Sequence, residues 1–276
     1  METRFVISPN EAKQFDTQQL RDNFLVPELM QNDKVQLVYS HCDRVIIGGA
    51  RPVNKTLSLP NHPELRAGYF LERREIGIIT VGGAGTVSAD GKEFATLKLD
   101  CVYIGKGTND VRFKSVNKKD PAVFYLLSAP AHHTYPNKLM VKEKATPVEL
   151  GAAGTSNKRT VYKYIHLDGI RSCQLVMGLT VLEAGSVWNS IPPHTHTRRM
   201  EVYFYFDVAE QHRVFHFMGE PKQTRHIVMA NHEAVISPPW STHYGCGTGN
   251  YGFIWGMAGE NLMYTDMDVV PVNELK

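Results

Sequence analysis

The sequence predicts an all-β protein made of short antiparallel strands, arranged as two barrels or sandwiches in tandem. Three observations predict it. Runs rich in β-branched and aromatic residues recur along the chain, turn dipeptides punctuate them closely, and two stretches repeat one plan. Helix signals are confined to the N-terminal region, around Thr17 to Glu28. Strands are expected at Val35 to Tyr39, Arg44 to Ile47, Gly77 to Val81, Val123 to Leu127 and Glu201 to Phe206. Asp90-Gly91, between Thr86-Val87 and Glu93-Phe94, is a two-residue hairpin turn. Gly82 to Gly85 and Gly105-Lys106-Gly107 read as turns; no Lys-Ser/Thr pair or helix follows to make a phosphate loop.

With 276 residues, 42% of them apolar and 21% charged, the chain has the make-up of a globular protein with one large or two ordinary domains. A formal net charge of +2 with scattered basic residues gives no footprint for nucleic acid. The N-terminus has no apolar h-region, and no apolar run reaches the ~20 residues of a membrane span, so a cytoplasmic protein without membrane attachment is expected. Cys42, Cys101, Cys173 and Cys246 form no CxxC pair and read as free thiols.

The repeat sets Phe70 to Val81 beside His196 to Phe206. Each stretch has an Arg-Arg pair, a nearby Glu and an apolar strand, followed later by an acidic residue, a second apolar strand and a tight turn. A boundary is expected between Asn137 and Lys158, giving domains 1–150 and 151–276.

Chemistry concentrates in the second half. Pro193-His194-Thr195-His196 is followed by Glu201 and, after Pro238-Pro239-Trp240, by His243. Residues two apart in a strand face the same side, so His194 and His196 can share one ion. Glu201 joins them if the strand bends or bulges between Thr197 and Met200. His243 arrives from a separate strand, aimed by the Pro-Pro turn. Three imidazoles and a carboxylate suit zinc or another divalent transition metal and leave positions open for water or substrate. The first half carries no matching histidines and is expected to bind no metal. His41, His132 and His133 lack paired ligand spacing and read as satisfied or interface histidines.

HxHxxxxE followed by PxxxxH resembles the two-part signature of the cupin superfamily, and the duplication then reads as a bicupin of two jelly-roll domains. The likeness extends through Tyr39-Ser-His-Cys-Asp-Arg44, Tyr69 to Glu75, Val81 to Thr86, Ala129 to Pro136, Thr155 to Thr160, Arg199 to Phe206 and Thr224 to Met229. Together these resemble the 5-dehydro-4-deoxy-D-glucuronate isomerase family. The resemblance implies a hexameric enzyme of pectin and uronate breakdown with one zinc ion per subunit, other divalent metals being compatible. The implied reaction is an aldose–ketose isomerisation of a keto-uronate to 3-deoxy-D-glycero-2,5-hexodiulosonate, through an enediolate. For its groups the sequence offers His226 or a hydroxide on the ion as base, Tyr203 and Tyr205 as strand-mates of Glu201, and Arg199 or Arg225 for the substrate carboxylate. Trp240, Trp255 and Met257 lie near His243 in sequence and could wall the cavity. Thr155 to Thr160 reads as a linker or subunit contact. An iron-dependent cupin dioxygenase can use the same four ligands and is the alternative activity. A non-catalytic storage or sugar-binding cupin is disfavoured by the intact ligand set.

Overall fold

The computed structural model describes residues 1–276. Its elements are mostly antiparallel strands with two short helices. The chain forms two compact units. The first comprises Met1–Thr3, Glu28–Thr146 and Lys163–Met177; the second comprises Arg4–Pro27, Pro147–Tyr162 and Gly178–Lys276. A single cut after residue 150 does not separate them, because the chain passes more than once between units.

Each unit pairs a seven-stranded with a four-stranded sheet. In the first, the large sheet runs Glu2–Arg4, Val35–Ser40, Ile46–Ala50, Phe124–Pro130, Arg74–Thr80, Cys101–Ile104, Lys138–Met140; the small sheet runs Leu57–Ser58, Val111–Ser115, Gly85–Ala89, Lys92–Thr96. In the second, the large sheet runs Val148–Leu150, Arg159–Ile165, Val176–Leu182, Gly252–Gly259, Arg199–Phe206, Ala234–Ser237, Leu25–Val26; the small sheet runs Trp188–Asn189, Tyr244–Gly247, Val214–Glu220, Gln223–Met229. The two lists correspond strand for strand, which is the repeat seen in the sequence. The edge strand of the second large sheet, however, comes from the N-terminal segment: Leu25 and Val26 pair with Val235 and Ala234.

Local chemistry explains the elements. Asp90 and Gly91 both take positive φ, and Ala89 pairs with Lys92, which is the two-residue hairpin expected. The N-terminal helix spans Thr17–Phe24, capped by Asp16, whose carboxylate accepts from the Gln19 amide at 2.8 Å while the Gln19 side chain accepts from the Asp16 amide. It stops short of Glu28 because Leu25 and Val26 turn into the sheet. The strand expected from Arg44 starts at Ile46, since Asp43 and Arg44 sit in left-handed turn conformations.

The inner face of each unit decides its character. Arg74 opposes Pro130 as Arg199 opposes Gly259, so Ile76 and Ile78 occupy the register positions of Glu201 and Tyr203. Ile76 and Ile78 lie in an apolar cluster with Leu37, Val102, Phe113 and Leu126. That face of the first unit is filled with hydrocarbon, and the second keeps its polar groups.

Candidate metal centre

His194 stands on a two-residue strand, His194–Thr195, paired with Asp268–Val269. The chain then turns before the long strand Arg199–Phe206 begins. The change of direction needed to bring His196 and Glu201 together is thus a break between two strands. His243 follows the Pro-Pro turn, which is tied to the strand Val214–Glu220: the Thr242 amide donates to the Gly219 carbonyl at 2.9 Å, and the Gly219 amide to Ser241 Oγ at 2.9 Å.

These elements gather His194, His196, Glu201 and His243 so that their ligating atoms lie within 4.8 Å of one another, all four side chains buried. His196 Nε2 is 2.9 Å and His243 Nε2 2.7 Å from Glu201 Oε2, and His243 Nε2 is 3.0 Å from His194 Nε2. Opposite each Nε2, the Nδ1–H of His243 donates to the Ser241 carbonyl at 3.2 Å, and that of His196 donates to the Asp266 carbonyl. Carbonyls accept only, so they fix the tautomer and leave both Nε2 lone pairs facing inward. Lone pairs converging on a carboxylate need a positive charge among them, and four such atoms around one point suit a divalent ion in N/O coordination. Burial lowers the His194 pKa to about 2, with His243 adding to it, so the ring is a neutral ligand. Burial would raise Glu201, but the close approach of His243 and His196 outweighs it and holds the carboxyl well below its ordinary range.

The centre opens into a cavity of about 260 Å³ lined by Tyr203, Tyr264, Arg159, Trp255, Phe253 and Met257 among others. Tyr203 Oη lies 2.7 Å from Ser190 Oγ, and burial keeps this phenol protonated. Beside it, Tyr205 Oη is 2.8 Å from His216 Nδ1; His216 is fully buried, its Nε2 makes no hydrogen bond, and burial with His243 lowers its pKa to about 3.

Three groups expected in the cavity are placed elsewhere. Arg199 is completely buried, its Nη1 and Nη2 donate to the carbonyls of Asn261, Met263, Tyr264 and Asp266 at 3.2, 2.7, 3.4 and 3.4 Å, and it lies outside the cavity lining. Arg225 donates to the carbonyls of Lys13 and Phe15 and fastens the N-terminal segment. His226 is exposed, because strand alternation puts it on the face shared by Phe215 and Phe217 while Ile227 points inward. Of the three apolar walls considered, Trp255 and Met257 line the cavity; Trp240 instead donates to the Ile7 carbonyl.

Arg159 was not singled out by sequence reasoning. It lines the cavity and makes one hydrogen bond, Nη1 to the Asn157 carbonyl at 2.9 Å. Its signal was the segment Thr155 to Thr160, part of the family likeness.

Two jelly-roll units, one with a His₃Glu cluster on its inner face that could hold a metal ion and one packed with hydrocarbon, define a bicupin. Residues 24–272 match the KduI/IolB family, and the chain belongs to it. It is 52% identical over 276 residues to the 4-deoxy-L-threo-5-hexosulose-uronate ketol-isomerase of Halalkalibacterium halodurans, covering 100% of both chains. It is 53% identical to the enzyme of the same name from Formosa agariphila over 275 residues, 100% of this chain and 98% of that one. Among solved structures, an IolB-like protein from Salmonella typhimurium LT2 superposes with a TM-score of 0.67 at 16% identity, over 90% of this chain and 97% of that one. Oxalate decarboxylase of Lactobacillus farciminis superposes with 0.56 at 11% identity, over 81% and 79%. These structures establish likeness of fold.

Proposed function

We propose that this chain is a divalent-metal-dependent ketol-isomerase that converts 5-dehydro-4-deoxy-D-glucuronate to 3-deoxy-D-glycero-2,5-hexodiulosonate. Full-length identity to enzymes named for ketol-isomerisation of a hexosulose-uronate supports the reaction. The structural observation that carries the reading is the buried His194, His196, Glu201 and His243 cluster opening into a cavity that also holds a half-buried arginine.

A bound divalent ion, zinc in our reading, would polarise the carbonyl and neighbouring hydroxyl of the substrate and so acidify the C–H of the hydroxyl-bearing carbon. The chain's own groups bind and orient the substrate. Arg159 holds the substrate carboxylate, the role its spare donors suit and that Arg199 and Arg225 are too committed to fill. Tyr203, oriented by Ser190, and Tyr264 remain protonated under burial and donate hydrogen bonds to the substrate oxygens on which charge develops. Phe253, Trp255 and Met257 give the pocket a dry wall, which strengthens those interactions.

No helix is long and apolar enough to cross a membrane. A cytoplasmic homohexamer is the assembly and location we propose, and native mass spectrometry reads the first directly. For the reaction, the keto-uronate is supplied without oxygen and followed by NMR, before and after a chelator. Conversion that needs no oxygen, stops with the chelator and returns with zinc is expected. Oxygen uptake coupled to turnover of the iron-loaded protein would instead select a dioxygenase.

A further inference from the structure

The first unit has polar residues of its own at the end of the sheet that, in the second unit, carries the metal cluster. There, Tyr39, Arg44, Arg73 and Arg74 line a cavity of about 270 Å³ with Phe70 and Pro130. Three segments of the family likeness meet in it: Tyr39 to Arg44, Tyr69 to Glu75 and Ala129 to Pro136. The ketol-isomerase reading uses none of them.

Arg74 is only 7% exposed, and its guanidinium bonds to neutral groups: Ser128 Oγ at 3.0 Å, the Ser128 carbonyl at 2.9 Å and the Arg44 carbonyl at 2.7 Å. The adjacent carboxylate gives it no ion pair. Glu75 accepts from Tyr103 Oη at 2.7 Å and from the amides of Cys173, Gln174 and Leu175 at 2.7, 2.8 and 3.0 Å. A buried guanidinium without a direct ion pair is costly, and the cost falls when an anion reaches it.

Its neighbours add to the positive field. Arg44 follows Asp43 in a turn where both have positive φ, +46° and +52°, a conformation that side-chain-bearing residues adopt at some cost and that recurs at ligand-binding sites. The turn presents an exposed Arg44 side chain that makes no ion pair. Arg73 donates to the Arg66 carbonyl and lies 3.5 Å from Glu72 across a solvent-exposed pair, which leaves its charge available. Glu64, the carboxylate on this cavity, is 3.3 Å from the Met1 ammonium.

We propose that Arg44, Arg73 and Arg74 form a second binding site, separate from the metal centre, for the oxyanion of a sugar-sized ligand. The volume exceeds that of a bare inorganic ion, and the mixture of guanidinium, phenol and apolar wall suits a small polar organic molecule. Fork-shaped donors serve a carboxylate or a phosphate equally, so the ligand class is a sugar acid or a sugar phosphate.

The test is equilibrium binding of D-glucuronate and of D-glucose 6-phosphate to the metal-loaded full-length protein. It is run on wild type, on the double variant Arg44→Ala/Arg73→Ala, and on Arg159→Ala. The double variant is expected to bind the preferred ligand about tenfold or more weakly, from the loss of charge-assisted hydrogen bonds, with keto-uronate turnover unchanged. Arg159→Ala should retain this binding. The stronger of the two ligands identifies the oxyanion. Binding lost in Arg159→Ala but kept in the double variant would assign the anion to the metal cavity and overturn the proposal. So would binding of neither ligand to wild type. Both arginines are exposed, and an unchanged melting temperature of the double variant verifies that the fold is intact.

Discussion

Arg199 and His196 share one acceptor, the main-chain carbonyl of Asp266. Through it a completely buried guanidinium fixes the ring orientation of a candidate metal ligand, and the same guanidinium gathers the backbone that carries Tyr264 into the cavity. Arg199→Lys keeps the charge but cannot reach four carbonyls. The zinc affinity of this variant, measured by competition with a chelating dye, should be about 10- to 100-fold weaker than wild type, the usual cost of losing an outer partner of a ligand. Unchanged affinity would show that the 261–266 segment holds His196 by itself.

Glu201→Gln preserves shape and removes the only carboxylate of the cluster. Metal content after dialysis should fall by an order of magnitude or more, and keto-uronate turnover with it. A variant that retained stoichiometric metal would mean that three imidazoles suffice and that Glu201 serves another purpose.

Arg159→Ala should raise KM for the keto-uronate by roughly ten- to a hundredfold, the loss of a charge-assisted contact worth about 1.5–3 kcal/mol. His226→Gln and Arg225→Ala should leave kcat/KM within about twofold of wild type. Arg225→Ala should instead lower the melting temperature, since it releases the carbonyls of Lys13 and Phe15. A large loss of turnover in His226→Gln would contradict its placement on the exposed face.

His216 stays neutral in the folded chain down to about pH 3, whereas its ordinary pKa is 6.5. Between those values the unfolded chain binds a proton that the folded one refuses, so stability is complete above the upper pH and is lost as pH falls toward the lower. One such group contributes a slope of about 1.4 kcal/mol per pH unit in that window. Chemical denaturation of chelator-treated protein over this range should show the slope reduced by about that amount in His216→Gln. An identical slope in the variant would place the proton uptake elsewhere.

The candidate metal cluster was legible because ligand chemistry restricts the residue types and strand alternation sets His194 and His196 on one side, whereas Glu201 and His243 join them through a break in the chain and a separate segment. The repeat was legible for a similar reason, since Arg74 and Arg199 begin corresponding strands. The substrate-facing groups were less so. An arginine in a sequence declares its charge but not its partners, and Arg199 donates to backbone carbonyls 62 to 67 residues further along the chain, at residues 261–266. His226 is separated from the inner face by one step of alternation, a difference decided by the pairing of Phe217 with His226 and not by composition. Arg159 sat in a polar stretch that reads as a linker, and only the tertiary fold turns its strand toward the cavity.

Leu25 and Val26, which close the edge of the second large sheet, leave the ribosome long before the Ala234–Ser237 strand they pair with. That early-made strand must wait through some two hundred residues of synthesis for its partner, in line with the slow pairing of distant strands. Truncation at the N-terminus would therefore harm the half of the enzyme made last, baring the edge of Ala234–Ser237 to pairing with other chains.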